Sequence, residues 1–368
     1  MIENKLGFGL MRLPKIDGKI DIDQVKEMVD AFIAKGFTYF DTAYAYPGAE
    51  AAFRLAVATR YPRESYTIAT KMAAWELHEA YTPLQMFEEQ LGQCGVAYFD
   101  YYLLHNLQPY RLPDYEKWDC WTFCQQMKAE GRIKNFGFSF HGNDELLDKL
   151  LTEHPEVDFV QLQINYLDWN SGIVCAGKNY QVARKHGKPI VVMEPVKGGM
   201  LANIKPELME QFKMLDPYAS TASFALRYAA SLEGVMMVLS GMSDSRQMED
   251  NLHTFTHFNS ISNLERTVIH QVRDAMLDAP SIGCTNCRYC TDGCPQMINI
   301  PEVFKCVNEL LAFGEHVRPH LYYNSLITAG LTGRASACVA CKQCETTCPQ
   351  HLPIIALLKD ASKQLDKT

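Results

Sequence analysis

The chain has 368 residues, of which 47% are hydrophobic and 21% charged, so it can bury a sizeable core and disorder is excluded as its main state. The length suits one large domain and one smaller domain. The net charge of −8 gives no indication of a nucleic-acid or membrane partner. No apolar run approaches the roughly 20 residues that cross a bilayer, and the N-terminus lacks signal-peptide character. We therefore expect a cytoplasmic protein.

Up to about residue 255, apolar runs typical of buried strands alternate with segments of helical spacing. The predicted strands are Lys5–Met11, Thr38–Asp41, Tyr66–Thr70, Phe99–His105, Ile133–Ser139, Phe159–Gln163, Pro189–Glu194 and Val235–Ser240. The first helix is the clearest, since Asp21 or Asp23 can cap it and Gly36 ends it. Eight strand–helix units predict an α/β fold, a (β/α)8 or TIM barrel. A doubly wound open sheet is the alternative, but no Gly-x-Gly-x-x-Gly opens a helix after a strand.

Cysteine is the outlier of the composition, with 13 residues. Eight of them form two runs of the pattern Cys-x2-Cys-x2-Cys-x3-Cys-Pro. In this spacing three thiolates reach one cubane and the fourth binds the other cluster. We therefore predict two [4Fe–4S] clusters, one held by Cys284, Cys287, Cys290 and Cys348 and the other by Cys338, Cys341, Cys344 and Cys294. Zinc is the alternative, although zinc sites usually pair two Cys-x2-Cys units.

The cysteine runs resemble bacterial-type two-cluster ferredoxin modules. The long segment between them carries predicted helices at Val303–Phe313 and Leu321–Ala329, which is closer to the mostly helical ferredoxin modules attached to some dehydrogenases. We therefore predict a barrel domain over residues 1–255, a linker helix within 256–282 and a ferredoxin-like iron–sulfur domain over 283–368. The other five cysteines lack ligand spacing and are expected to be ordinary buried residues.

Chemistry in a barrel of this kind lies at the carboxyl ends of the strands. Asp41 and His105 end predicted strands, Lys71 directly follows the predicted strand between them, and Tyr46 follows Asp41 closely. A neighbouring ammonium lowers the pKa of a phenol, and a carboxylate keeps that ammonium charged. Each residue alone has an ordinary explanation, such as a structural histidine, a solvated lysine or a helix cap. Together they predict a proton-transfer site in which Tyr46 donates to a carbonyl oxygen that His105 orients.

The segments around these residues resemble the aldo-keto reductase family over residues 5–255. They are Leu6-Gly7-Phe8-Gly9-Leu10-Met11-Arg12, Phe40-Asp41-Thr42-Ala43-Tyr44-Ala45-Tyr46, Thr70-Lys71, Leu103-Leu104-His105 and Gly137-Phe138-Ser139. With its cysteine module, the chain most resembles the ferredoxin-fused branch of that family. The resemblance implies a catalytic tetrad of Asp41, Tyr46, Lys71 and His105. It also implies NAD(P)H bound across the barrel mouth without a Rossmann domain.

The resemblance further implies which residues bind the cofactor. Ser139 and Gln161 would hold the nicotinamide carboxamide, and Met193 takes the position from which an aromatic residue often stacks on the ring. The phosphates and adenosine would lie against Ser240, Gly241, Met242, Ser243, Gln247 and Asn251. Gly241 and Gln247, with Arg246 beside them, occupy positions where NADPH-preferring members carry Lys or Arg, so the choice between NADH and NADPH is open. Trp75 is a candidate wall of the substrate pocket.

The predicted function is hydride transfer between NAD(P)H and a small-molecule carbonyl or alcohol. The clusters would serve electron transfer or structure. Because iron–sulfur clusters move single electrons and nicotinamide delivers a hydride, direct coupling between them needs a flavin or a radical-tolerant intermediate. The alternative prediction is a cluster-wired redox enzyme, or an electron-transfer protein that exchanges electrons with an external ferredoxin.

Overall fold

The computed structural model describes residues 4–109, 111–171, 174–278, 281–284, 287–314 and 317–366. The chain divides into two compact units, Met1–Ile269 and His270–Thr368. The division falls inside one helix, Asn263–Leu277, which occupies the predicted linker; residues 279 and 280 of that linker lie outside the described ranges. In the part of the chain that the structure describes, no helix is long and apolar enough to span a membrane.

The first unit is a closed barrel of eight parallel strands. The strands of the chain are β1 (Leu6–Gly9), β2 (Lys15–Ile16), β3 (Lys19–Ile20), β4 (Tyr39–Asp41), β5 (Thr67–Met72), β6 (Phe99–Leu107), β7 (Ile133–Phe140), β8 (Phe159–Gln163), β9 (Ile190–Met193) and β10 (Val235–Ser240). The barrel order is β1-β10-β9-β8-β7-β6-β5-β4, and β2 and β3 form a separate antiparallel hairpin. The predicted (β/α)8 barrel is therefore confirmed.

Helices alternate with the barrel strands and continue into the second unit. In chain order they are α1 (Ile22–Ala34), α2 (Ala49–Phe53), α3 (Pro83–Cys94), α4 (Leu112–Lys117), α5 (Cys120–Ala129), α6 (Asp144–Glu153), α7 (Ala176–Lys185), α8 (Pro206–Lys213), α9 (Thr221–Ala230), α10 (Ser245–Thr256), α11 (Asn263–Leu277), α12 (Ile300–Phe313), α13 (Val317–Thr328), α14 (Gln343–Thr347) and α15 (Ile354–Leu365). Of the two predicted caps for α1, Asp21 is the one used, since its carboxylate accepts from the Gln24 amide at 3.2 Å.

Side chains fill the barrel interior, so the barrel is a packed core and the candidate site lies at the carboxyl ends of its strands. The interior residues include Tyr39, Ala69, Leu103, Phe159, Val191, Met237 and Leu239. Gly137 is required here, because an added β-carbon would lie 2.6 Å from the Phe159 carbonyl oxygen. This interior packing therefore holds the carboxyl ends of the strands in place.

A second core lies between the strands and the surrounding helices. Phe32 of α1 is fully buried, and its ring centre lies 5.7 Å from that of Phe8 and 5.3 Å from that of Phe40. These aromatic contacts join α1 to β1 and β4, which is the strand that ends at Asp41.

The second unit has its own core, built from α12, α13 and α15. Buried Ile300, Val303 and Phe304 of α12 pack with Ile354 and Leu358 of α15. Six of the eight cysteines of the two runs lie in or against this core, whereas Cys287 and Cys341 are exposed. Outside the runs, the five remaining cysteines are buried as expected.

We predict that Phe32→Ala lowers the free energy of unfolding of the barrel by about 3–5 kcal/mol, because it removes a buried ring and leaves a cavity. Phe32→Leu should cost less than half of that, since it keeps most of the volume. All four tryptophans lie in the first unit, so urea unfolding followed by tryptophan fluorescence reports the barrel. A loss below about 1 kcal/mol for the alanine variant would contradict this account of the core.

Candidate functional site

A buried ion pair lies at the carboxyl end of the barrel. The Lys71 ammonium on β5 donates to the Asp41 carboxylate on β4 and to the Thr42 carbonyl, both at 2.6 Å. The side chain of Lys71 has no exposed surface and that of Asp41 is 4% exposed. Burial lowers the pKa of Lys71, but the charges of Asp41 and Tyr46 outweigh it, so the net pKa is raised. Lys71 therefore remains an ammonium.

The other two predicted catalytic residues lie beside this pair. The Lys71 ammonium is 5.0 Å from the centre of the Tyr46 ring. The Tyr46 and His105 rings meet edge to face, with centres 5.6 Å apart and planes at 85°. Both rings are half-buried at the rim. The structure thus brings together all four residues predicted from the strand ends.

The pKa of Tyr46 is raised, although the sequence analysis expected the neighbouring ammonium to lower it. Lys71 lowers this pKa, as expected, but burial raises it by more, and the charges of Asp41 and Glu194 add to the rise. The net pKa of Tyr46 is therefore above its ordinary value. The phenol remains protonated throughout the neutral range.

His105 is neutral in this setting. Burial, followed by the positive charges of Lys71, His141 and Arg111, holds its pKa well below the ordinary value. The next residue, Asn106, has a left-handed φ of 58° and donates its amide to the Ser139 hydroxyl at 2.7 Å. Strand β6 shifts register against β7 here, and such bulges re-aim side chains near active sites.

A buried polar network contacts the backbone of Lys71, and the sequence pattern does not predict it. The Glu50 carboxylate on α2 accepts from the Thr70 hydroxyl at 2.6 Å and from the Gln90 amide at 2.8 Å. Gln90 also donates to the Lys71 carbonyl at 3.1 Å and accepts from the Tyr102 hydroxyl at 2.6 Å. Because α2 follows Tyr46 in the chain, this network ties the segment carrying the phenol to the strand carrying the ammonium.

Two residues predicted to bind the nicotinamide carboxamide lie side by side. Ser139 and Gln161 are register partners on β7 and β8, and both are buried. The Gln161 amide nitrogen donates to the Met193 sulfur at 3.6 Å. Its amide oxygen is buried and has no hydrogen-bond partner among the described residues. This oxygen can accept a hydrogen bond from an amide N–H of a ligand.

The segment after β10 contains the residues predicted to hold the phosphates and adenosine. Asn251 donates to the Ser240 hydroxyl at 2.7 Å, and the Ser243 amide donates to the Gln247 side chain at 2.9 Å. Met242 is fully buried in the core, so it can offer only its backbone. Gly241 is exposed.

Asp244 and Arg12 change the electrostatics of this segment. Asp244 caps α10 by accepting from the Gln247 amide at 2.9 Å, which occupies a helix end that otherwise favours anions. Arg246 lies 3.6 Å from the Asp244 carboxylate. Arg12, which the sequence analysis did not single out, lies against Gly241 and donates to the Gly198 carbonyl at 2.9 Å. Its position just after β1, at the carboxyl end of a strand, could have indicated that Arg12 lies near the site.

Trp75, the candidate wall of the substrate pocket, lies beside the predicted catalytic residue His105. Its ring centre is 5.5 Å from that of His105. The guanidinium carbon of Arg111 lies 4.2 Å from the Trp75 ring centre. Arg111 follows β6 at the same end of the barrel. It was not predicted as a site residue, because a single arginine in a loop forms no sequence motif.

In the second unit, cysteines from both runs line one cavity. Cys284, Cys287, Cys290 and Cys348 share it with apolar side chains that include Ile300, Phe304, Leu352 and Ile354, and with Arg288. This is the set of three plus one that the spacing predicted for the first cluster. Burial raises the pKa of Cys290 to about 11, and the nearby cysteines Cys284, Cys287 and Cys344 add to the rise.

Three of the other four cysteines lie near one another. The charges of Cys338 and Cys341 act on the thiol of Cys344, and Cys294 and Cys338 pack against the same core. The Ile298 amide donates to the Cys294 sulfur at 3.4 Å. The two runs are joined by a hydrogen bond from Thr347 to the Tyr289 carbonyl at 3.3 Å.

Comparison with known proteins identifies the family of the barrel. A family model described as the aldo/keto reductase family matches residues 5–267, which is more than half of the chain. The protein is an aldo/keto reductase family member. A second model, described as a 4Fe-4S dicluster domain, matches residues 283–352 of this family member. The resemblances given above for the barrel and for the cysteine module are thereby confirmed.

Individual relatives of this aldo/keto reductase family member are distant. An aldo-keto reductase of Mycolicibacterium smegmatis is 27% identical over 163 residues, which is 43% of this chain and 54% of the relative. One from Mycobacterium bovis is 31% identical over 124 residues, 32% of this chain and 40% of the relative. The chain thus spans about half the length of the curated relatives it matches.

Solved structures share the fold of this family member. A Bacillus halodurans aldo-keto reductase in its holo form has a TM-score of 0.57 at 22% identity, covering 73% of this chain and 91% of the other. A Klebsiella pneumoniae aldo-keto reductase in complex with NADPH has a TM-score of 0.58 at 18% identity, covering 73% of this chain and 90% of the other.

Proposed function

We propose that the protein reduces a small carbonyl compound to an alcohol with NAD(P)H, and that Tyr46 supplies the proton. One observation carries this proposal: the half-buried Tyr46 phenol lies between the buried Lys71–Asp41 pair and a neutral His105. Such a set donates a proton and stabilises a developing oxyanion. Family membership supports the same conclusion.

The residues at the barrel mouth fit a nicotinamide cofactor. The buried, unpartnered oxygen of Gln161 is an acceptor for a carboxamide N–H, and Ser139 is its neighbour on the adjacent strand. Arg12 and Arg246 offer positive charge near the segment after β10. When bound, reduced nicotinamide supplies a hydride to the carbonyl carbon and becomes oxidised.

The remaining steps belong to residues of this chain. His105 and Tyr46 orient the carbonyl oxygen, which gains negative charge as the carbon gains a hydride. Tyr46 gives its proton to that oxygen, completing the alcohol, and then recovers a proton from solvent. Lys71 stabilises the transient phenolate, and Asp41 keeps Lys71 charged. A raised phenol pKa does not prevent this transfer, because an alkoxide is about as basic as hydroxide, whose conjugate acid has a pKa of about 15.7.

For the cysteine module, we propose two [4Fe–4S] clusters with the ligand sets that the spacing predicts. The shared cavity supports the first set, since close thiolates repel one another unless positive iron lies between them. Its apolar lining limits access of water. When bound, the clusters supply single-electron transfer or structural cross-links. The contacts within this unit favour neither role over the other.

We expect Tyr46→Phe to lower kcat for aldehyde reduction by about 10²- to 10⁴-fold, because the phenol is the proton donor. The assay is oxidation of NADPH and NADH by anaerobically purified protein with a simple aldehyde. NADPH binding, followed by its fluorescence, should change little. Tyr98→Phe is the matched control, since Tyr98 precedes β6 at the opposite end of the barrel and contacts Arg63. Equal activity of Tyr46→Phe and the wild type would overturn the proposed reduction.

The pH dependence of kcat/KM for reduction should be flat from about pH 6 to pH 9. The required phenol is protonated because burial raises its pKa above the ordinary 10.0, so activity falls only as pH rises through that higher value. His105 remains neutral because burial holds its pKa well below 6.5, so no loss occurs near pH 6.5. A falling acid limb near pH 6.5 that disappears in His105→Gln would contradict this electrostatic account.

Cys348→Ala should lower the iron content from about eight to about four atoms per chain, since it removes the fourth ligand of one cubane. Iron and sulfide analysis of anaerobically purified protein measures this directly. Cys306→Ala is the matched control, because Cys306 is buried in the same core and lacks ligand spacing. Zinc in place of iron, or an unchanged iron content in Cys348→Ala, would refute the assignment.

A further inference from the structure

The barrel mouth carries a cation that the proposed reduction does not use. Arg111 lies in the segment between β6 and α4, half-buried, with its guanidinium carbon 4.2 Å from the Trp75 ring centre. Trp75 is 5.5 Å from His105, and His105 is 5.6 Å from Tyr46. A short line of ring contacts therefore connects the proton donor to the guanidinium.

The charges around this line are unevenly distributed. The positive charges of Arg111 and His141 act on His105 in addition to that of Lys71. The carboxylate of Glu194, at the end of β9, accepts from the Gln163 amide at 3.2 Å, and its negative charge acts on Tyr46. Asp41 is already paired with Lys71. The site therefore has a cationic side towards Arg111 and an anionic side towards Glu194.

The position of the Arg111 guanidinium over the Trp75 ring suits recognition of a carboxylate. Stacking on an indole uses the face of a guanidinium, whereas its N–H donors project in the plane, where a carboxylate binds with two hydrogen bonds. Partial burial reduces screening by salt and water. An anionic group of a ligand is attracted to this side and repelled by Glu194, which favours one orientation of the substrate.

We propose that the substrate is a carbonyl compound with a carboxylate a few carbons from the carbonyl, and that Arg111 binds this carboxylate against Trp75. The proposal rests on the carbonyl reduction proposed above. The carbonyl oxygen lies at Tyr46 and His105, its carbon gains the hydride, and the carboxylate is unchanged by the reaction. Arg111 is thus a specificity-determining residue.

Kinetics with matched substrates test this assignment. The probes are succinic semialdehyde and its methyl ester, with 4-carboxybenzaldehyde and its methyl ester as an aromatic pair. The wild type should show a kcat/KM about 10- to 100-fold higher for each acid than for its ester, as expected for a charge-assisted hydrogen-bond pair. Absence of this preference overturns the proposal.

Variants of Arg111 separate binding of the anion from support of the pocket. Arg111→Gln should lower kcat/KM for the acids about 10- to 100-fold and change that for the esters by less than about 3-fold. Arg111→Lys should retain part of the preference, since it keeps the charge and loses the planar fork. Equal losses for acid and ester would mean that Arg111 only positions Trp75, and would overturn the proposal.

Arg132→Gln is the matched control. Arg132 also lies over an aromatic ring, 5.0 Å from the centre of Phe87, and pairs with Glu88 at 2.7 Å. It precedes β7 at the opposite end of the barrel, so the acid-to-ester ratio should not change. A phosphorylated aldehyde of similar length is a further probe: if only its advantage depends on Arg111, the carboxylate assignment is wrong.

A binding measurement distinguishes failure of this proposal from failure of the reductase. Succinate, which cannot be reduced at a carbonyl, should quench tryptophan fluorescence in the wild type, and succinamide should not. The effect should be lost in Arg111→Gln and in Trp75→Phe. Arg111-dependent quenching without reduction of any aldehyde would refute the reductase and leave the anion site supported. Reduction of aldehydes with no Arg111-dependent binding of succinate would refute the anion site alone.

Discussion

Placing a charged ammonium with no exposed surface inside the barrel mouth is the constraint on which the site depends. An isolated buried charge costs several kcal/mol, and only well-placed partners offset that cost. Lys71 finds them in the Asp41 carboxylate and the Thr42 carbonyl, which are consecutive residues at the end of one strand. Satisfying this one charge fixes β4 against β5 and sets the starting point of the segment that carries Tyr46.

The Glu50 network extends the same constraint to the backbone. Gln90 binds the Lys71 carbonyl and the Glu50 carboxylate together, and burial raises the pKa of Glu50. Because Glu50 and Tyr46 belong to one short stretch of chain, this network anchors the segment that carries the phenol. Tyr46 is thus half-buried, whereas Glu50, Lys71 and Gln90 are buried.

Much of this architecture could be predicted from the sequence because parallel strands buried on both faces appear as apolar runs. The ends of those runs also identified Asp41, Lys71 and His105. Glu50 and Gln90 could not be found in this way, since each is a polar residue within a helical segment. Arg12 and Arg111 lie in loops, where position in space follows only from the closed barrel. The net direction of the Tyr46 pKa depends on burial, which spacing does not reveal.

The cavity in the second unit has a consequence for biosynthesis. Its four thiols come from both cysteine runs, and Cys348 is the last of them in chain order. A ribosome delivers Cys284, Cys287 and Cys290 well before this partner emerges, so a nascent chain holds an incomplete set while α12 and α13 are still being made. With the proposed ligand set, iron delivered before Cys348 emerges would meet only three of the four ligands. The first proposed cluster would therefore be completed only after Cys348 has left the ribosome.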